Sequence, residues 1–350
     1  MNRAGVDEAW HRGRAAMRGA RRVRTGVMMR DAARARARCA GGSRFGMVDR
    51  GRLNMEKPYI LHLLTAAQHA SPFDVNMACD AGYDVVVPYT DVAVADVTAL
   101  VQDAIFSRGP KGAQRTGMYI GGRDIAIAAD MLKAARNAMV PPFAVSVFAD
   151  PSGAFTTAAA LVACVERQLR RMDASALGGR NVVVFGGTGP VGAVAALLAT
   201  QAGARATIVS RTLAHAQSTV SDLHARYGAT IAAAAMEEGF AALRSAEVVL
   251  ACGRAGVRLV TATHLATAGR LLVAADVNAV PPSGVEGVAA MDDGAPLAAA
   301  SGKAAGIGAL TVGGVKFQTQ RSMLESMREG GKAVYLDFHD AFDVARKLAA

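Results

Sequence analysis

The residues that could do chemistry begin with a glycine turn. In "NVVVFGGTGPVGAVAALLATQAG", 181–203, a β-branched run meets Gly187-x-Gly189-x-x-Gly192, and an uncharged helical segment follows. In this context the first glycine permits a tight turn. The second removes a Cβ that would block a pyrophosphate, and the third lets helix and strand pack closely. Thr188 and Val191 complete the turn, and Pro190 suits the first helical position, where a missing N–H costs nothing. Free N–H groups and the helix dipole would then face phosphate. The spacing points to a dinucleotide, against the alternative of a merely structural turn. The next strand, "ATIVSRT", ends at Ser210-Arg211 rather than at the acid that bonds a ribose 2′-OH in NAD-selective sites. A hydroxyl and a guanidinium fork suit a 2′-phosphate, which favours NADP and leaves NAD usable. The alternative is that Arg211 is a solvated residue at a helix start.

A second candidate is Lys316, the only charge in "GIGALTVGGVKF", 306–317. Read at a glycine-to-helix junction, its amine could reach into a cleft; otherwise it is a lysine lying along the surface. Asp276 and Asn278, in "AADVNAVPP", and Gly253, in "EVVLACG", end strands of the nucleotide-binding series, where loops at carboxyl ends face ligands. Arg123 and Asp124, after a glycine pair, read as an anion contact or a helix N-terminus.

The elements that must position these residues alternate along the chain. Strands are expected at 59–64, 84–89, 117–122 and 143–150, with helices from Ser71-Pro72 to about Ala81, at 94–107 and at 124–139. That series implies a parallel sheet with helices on both faces. A long helix, 153–172, leads to a second series: strand 181–185, helix 190–202, strand 206–209, helix 213–227, and strands 247–251 and 271–275. Helices to about Glu329 and over 338–348 close the chain. The expected fold is α/β with two domains and a cleft between them, a usual place for a ligand. Residues 55–172 form an N-terminal parallel-sheet domain and 173–315 a Rossmann-type nucleotide domain. Residues 316–350 are helices returning to the first domain.

Composition narrows the function classes. The net charge of +10 looks like a nucleic-acid signal, but residues 1–54 hold 14 Arg and 4 acids, and the rest balances 25 basic against 25 acidic residues. The folded part therefore gives no electrostatic reason to expect nucleic acid. The Arg-rich 1–54 reads as a disordered extension. The strand pattern starts just after Met55, which favours Met55 as the true start over a transit peptide or a nucleic-acid tail. Cys39, Cys79, Cys164 and Cys252 form no CxxC pair, and the 7 His show no ligand spacing. This suits a reducing cytoplasm and proposes no metal. His62 and His69 read as ordinary polar positions. Uncharged stretches fall short of a membrane span.

Several segments together resemble the bacterial NAD(P)-dependent methylene-tetrahydromethanopterin dehydrogenases of one-carbon metabolism. They are "SPFDVNMACDAGYDVVVPY", "DAIFSRGPKG", "IGGRD", "SVFADPSGAFTTAAALVA", "VFGGTGPVG", "ADVNAVPPSGVEG" and "GIGALTVGGVK". The resemblance runs from about residue 56 to 350, and its most specific parts are "DPSGAFTTAAA" and "GIGALTVGGVK". It is nearest the form that accepts both NAD and NADP. It implies hydride transfer from the methylene carbon of a reduced pterin to nicotinamide, leaving a methenyl cation, in the cytoplasm and without a membrane or nucleic-acid partner. A homo-oligomer is also implied, a trimer among the options.

The resemblance places Lys316 in the active site. For the reaction so implied, Asp74 could offset the product charge, or only complement a helix dipole. Thr156 and Thr157 become hydroxyl donors to the pterin, or simple caps. Asp150 would bond the amino-pyrimidine edge or serve a turn. Asp276, Asn278 and Gly253 would lie near the nicotinamide and its ribose. The alternatives are an NADP-dependent methylene-tetrahydrofolate dehydrogenase and a nucleotide-sensing binding protein without turnover.

Overall fold

Strand and helix alternate from Ile60 onward. The computed structural model describes residues 57–172 and 176–350, so the expectations for 1–54 and for Met55 concern residues outside it. Strands β1 (Ile60–Leu64), β2 (Val85–Tyr89), β3 (Thr116–Ile120) and β4 (Ser146–Ala149) alternate with helices α1 (Pro72–Asp80), α2 (Val97–Ser107) and α3 (Ile125–Asn137). Helix α4 (Ala154–Arg171) follows. The second series runs β5 (Asn181–Phe185), α5 (Pro190–Gln201), β6 (Arg205–Ser210), α6 (Leu213–Tyr227), β7 (Ala232–Ala235), β8 (Val248–Ala251), β9 (Val273–Asp276), β10 (Asp293–Pro296) and β11 (Ala305–Ile307). Helix α7 (Ala309–Glu329), β12 (Tyr335–Leu336) and α8 (Phe338–Ala349) end the chain.

Two sheets result. The first has the order β12-β4-β3-β1-β2 and is parallel throughout. The second has the order β10-β11-β9-β8-β5-β6-β7 and is parallel except for the β10–β11 pair. Central strands β3, β4, β8 and β9 are buried along their whole length, which is why they read as continuous apolar runs and not as alternating ones. Glu56–Ala350 is one compact unit. Helix α4 runs through its middle, packed against α5, α7 and α8, with Leu161, Val162, Cys164 and Val165 all buried. At the chain's end α7 packs on α4 and β4, and β12 pairs with β4.

Each sheet reverses its strand order at one point. In the first, β1 lies between β2 and β3; in the second, β5 lies between β6 and β8. Loops leaving the carboxyl ends of parallel strands diverge there and open a crevice, where α/β folds bind ligands.

Candidate functional site

At the first crevice, loops after β1, β3 and β4 meet α7 around a cavity of about 550 Å³. His69, Phe73, Asp74, Gly122, Arg123, Ser152, Gly153, Thr157 and Lys316 line it. Ser71 caps α1 by accepting the Asp74 N–H at 3.4 Å, and Pro72 fills the first turn. This places Asp74 in the first turn and also in the cavity wall, 3% exposed. The dipole reading and the site reading of Asp74 therefore describe one position.

Lys316 is not at a glycine-to-helix junction. Helix α7 starts at Ala309, with Gly308 as its cap, so Lys316 sits about two turns along it. Gly313 and Gly314 lie inside the helix on open surface, where a Cβ would meet nothing within 4 Å. Each costs about 1 kcal/mol of helix propensity relative to alanine. Packing against α4 and the first sheet supports the helix nonetheless.

The Lys316 amine donates to Gln320 Oε1 and lies 3.8 Å from the centre of the Phe73 ring. The Gln320 amide then donates to Tyr119 Oη at 3.1 Å and to Asp74 Oδ1 at 3.4 Å. Tyr119 Oη is itself 3.1 Å from both Asp74 Oδ1 and the Asp150 carbonyl. An amine and a carboxylate on the cavity wall are thus joined through a neutral amide and a phenol. Neither Tyr119 nor Gln320 stands out in the sequence. Gln320, four residues after Lys316 and so on the same helix face, carried the one usable signal.

The charges in this network are balanced against burial. Burial raises Asp74 to about 6, with the Asp150 carboxylate adding to the rise, while Tyr119, Lys316 and Gln320 oppose it. Burial also raises Asp150, against the pull of Lys316 and the hydrogen bonds from Thr156 and Phe155. Burial lowers Lys316, and the two carboxylates restrain that fall. Desolvation leads at all three groups, favouring the uncharged forms.

Asp150 and Thr156 bond each other behind the cavity wall and do not line it. Both are 0% exposed. The Asp150 carboxylate accepts from the Phe155 and Thr156 N–H groups at 2.9 and 3.1 Å and from Thr156 Oγ1 at 2.6 Å. It caps α4 from four residues upstream because the Asp150-Pro151-Ser152-Gly153 turn folds it back. Ser152 and Gly153 both take left-handed backbone, at φ 54° and 64°. Thr157, on the cavity wall, donates its hydroxyl to the Gly153 carbonyl at 2.6 Å. A Cβ at Gly153 would lie 3.1 Å from Lys316 Cε and 3.2 Å from Nζ, so the bare backbone is what admits the amine.

At the second crevice, the glycine turn joins β5 to α5. Gly186, not Gly187, has the left-handed backbone, at φ 71°. A Cβ on Gly186 would lie 2.7 Å from the Cys252 carbonyl and the Gly253 nitrogen, so the loops after β5 and β8 touch there. Gly187 is pressed against Ile208 and the Val184 carbonyl, and a Cβ on Gly192 would lie 2.6 Å from the Gly186 carbonyl. Gly189 differs. Its Cβ would meet nothing closer than the Gly186 carbonyl at 3.4 Å, an ordinary contact. Internal packing gives no reason for glycine there, whereas approach of a ligand from outside does. Gly189 caps α5 without any side chain accepting from the first turn, and Pro190 follows. The cradle fits a diphosphate.

Ser210 ends β6 buried, with Arg211 exposed beyond it. Asp276 and Asn278 end β9, but their polar atoms build the loop. Asp276 accepts from the Asn278 N–H at 2.8 Å and the Val285 N–H at 3.1 Å. Asn278 Oδ1 accepts from Gly256 and Val280, and its amide donates to the Pro282 carbonyl at 2.8 Å. Their side chains shape the wall of the crevice from within. Gly253 sits where its Cβ would strike Leu259 Cδ1 at 2.6 Å.

A groove of about 330 Å³ begins at Thr188 and Pro190 of the glycine turn and is lined also by His215, Asp222, Arg226, Arg123 and Asp124. Asp124 caps α3, accepting from Ala126 and Ile127 at 2.8 and 3.0 Å. His62, on the far side of β1, is 3.1 Å from Tyr89 Oη. Among the described residues no cluster of three His, Cys, Asp or Glu could hold a metal.

Comparison with known proteins follows this geometry. The N-terminal methylene-tetrahydromethanopterin dehydrogenase family matches over residues 72–152, which hold Asp74, Gly122, Arg123 and Ser152 of the first cavity's wall. The NAD(P)-dependent methylenetetrahydromethanopterin dehydrogenase of Methylorubrum extorquens is 45% identical over 83% of this chain and 98% of its own. The bifunctional protein MdtA of the same organism is 32% identical over 80% of this chain and 95% of its own. A quinate dehydrogenase of Corynebacterium glutamicum, solved with NAD, aligns with TM-score 0.47 and 11% identity over 82% of this chain and 98% of its own. With nearly the whole of the first relative matched at that identity, the chain belongs to the family of NAD(P)-dependent methylenetetrahydromethanopterin dehydrogenases.

Proposed function

We propose that this chain oxidises methylene-tetrahydromethanopterin to the methenyl form, with NAD(P)+ as the acceptor. The observation that carries the reading is the pairing of two sites in one unit: a cavity walled by Lys316 and Asp74, and a glycine cradle open at Gly189. The nicotinamide nucleotide supplies the hydride acceptor. Gly186 to Gly192 would hold its diphosphate, and Ser210 and Arg211 its adenosine ribose and 2′-phosphate.

The chain's own task is to hold a flat pterin and to tolerate a forming cation. The methylene carbon lies between two nitrogens. Loss of hydride leaves N–C–N carrying one positive charge, and no proton moves in that step. A protonated amine beside this carbon would oppose the charge. Burial lowers Lys316, and its amine donates to the neutral Gln320 amide oxygen. Asp74, ionised above about pH 6, offsets the cation. Phe73, half exposed on the cavity wall, offers an apolar face to the ring system.

The choice of nucleotide follows from charge. With no acid after β6, both NAD+ and NADP+ are accepted, and Arg211 favours NADP+. Arg211→Ala is expected to weaken NADP+ about 10-fold or more and NAD+ little; equal loss for both would place Arg211 away from the 2′-phosphate. The chain acts in the cytoplasm as a homo-oligomer. Strand β2 supports the latter, as an edge strand with Val85 exposed, and sedimentation checks it. Reaction is tested by reduced-nucleotide absorbance with methylene-tetrahydromethanopterin and methylene-tetrahydrofolate in parallel. Turnover with the first and little with the second is expected. Absence of turnover with both pterins rejects the reading, and a preference for the folate moves the substrate assignment.

A further inference from the structure

Arg123 stands where the two sites meet. It lines the Lys316–Asp74 cavity and also the groove that continues from the glycine turn past Thr188 and Pro190. The sequence left it between an anion contact and a helix start, and the helix start belongs to Asp124. Among the described residues the Arg123 guanidinium has no hydrogen bond, ion pair or ring contact. The other arginine of the groove, Arg226, is held by Asp130 through contacts of 2.8 and 3.1 Å.

The backbone that carries Arg123 is fixed on both sides. Gly122, at φ 106°, has its carbonyl held by Ser152 Oγ at 2.8 Å, and Asp124 is locked as the cap of α3. An arginine fixed at its Cα, free at its tip and lining one groove with Thr188 and Pro190 of the glycine turn is an anion clamp in form. The need is also there. A diphosphate carries two negative charges, and a helix N-terminus supplies the equivalent of about half a positive one. A guanidinium fork can take two phosphate oxygens at once.

Resting on the reading above, we infer that Arg123 closes the diphosphate site from the groove it shares with the glycine turn. It binds the phosphate oxygens shared by NAD+ and NADP+ and so fixes the nucleotide beside the pterin cavity. Unlike Arg211, it does not discriminate between the two nucleotides.

The test is calorimetric titration of the full chain, as wild type, Arg123→Ala and Arg123→Lys. The probes are NAD+, NADP+, ADP-ribose and adenosine. Arg123→Ala is expected to weaken NAD+, NADP+ and ADP-ribose by a common factor of about 10 or more and to spare adenosine, which lacks a diphosphate. Lysine restores part of the loss, because it keeps the charge but not the fork. Unchanged affinity for all probes overturns the inference and leaves the proposed activity standing. A rise confined to the KM for the pterin also overturns it, since the anion would then be one on the pterin. Failure of the wild type to bind either nucleotide rejects the proposed activity itself.

Discussion

At the scale of single residues, the site is a compromise between burial and charge. Asp74 and Asp150 sit in the same interior, and both resist ionising. Because folding raises Asp74 from its ordinary value to about 6, the folded state holds that proton more tightly than the unfolded chain. The stability contributed by the neutral form is full below about pH 4 and is lost as pH rises to about 6. Asp74→Asn keeps an oxygen for Tyr119 and Gln320 and removes the charge. It should gain on the wild type by about 2 to 3 kcal/mol between those pH values, read by denaturant melts, and should lower turnover at pH 7.5. A flat difference across that range would mean Asp74 does not titrate as its burial implies. Gly153 gives a second prediction. Gly153→Ala must both strain a left-handed turn and push the Lys316 amine aside, so kcat should fall about 10- to 100-fold with nucleotide affinity unchanged. Unaltered kcat would free the amine from any positioning by that turn.

At the scale of elements, much of the molecule was legible. Parallel strands buried on both faces announce themselves as apolar runs, and Ser71-Pro72 and Gly189-Pro190 mark true helix starts. Strand β7 was missed because four alanines favour a helix, and only pairing with β6 makes them a strand. Strands β10, β11 and β12 were missed because they are short and defined by their neighbours. In the proposed site, Lys316 and the glycine turn stand out by type and spacing, and Asp74 enters only as a candidate counter-charge to the product. Tyr119 and Gln320 do not stand out, since only the fold brings β3 and α7 together. Asp150 and Thr156 were expected to meet the pterin, but sequence could not show that they are fully buried and hydrogen-bonded to each other, with neither lining the cavity. Helix α8 is tied to α4 by Arg346, whose guanidinium meets Glu166 at 2.7 and 2.8 Å. Glu166 is 2% exposed. Arg346→Ala would leave that carboxylate with only Arg170, at 4.0 Å, and should cost about 1 to 2 kcal/mol in chemical denaturation; a cost near zero would make the pair ornamental to stability.

At the scale of the whole molecule, the proposed function rests on two crevices, each at a point where a sheet reverses its strand order. In that reading one would offer backbone to a diphosphate, the other an amine, a carboxylate and an aromatic face to a flat ring. Helix α7 carries the lysine from the second series onto the first sheet, so the amine depends on the chain's return path. Lys316→Ala removes a group that positions the pterin and should cut turnover about 100-fold while NADP+ still binds, measured by steady-state rates beside calorimetry. The central claim is that this pairing of crevices passes a hydride directly between two bound rings. The most direct measurement uses methylene-tetrahydromethanopterin deuterated at the methylene carbon, with NADP+ and the full chain, followed by NMR of the reduced nucleotide. Direct transfer predicts one deuterium at C4 of the nicotinamide, on a single face. Deuterium released to water, with protium at C4, would contradict it.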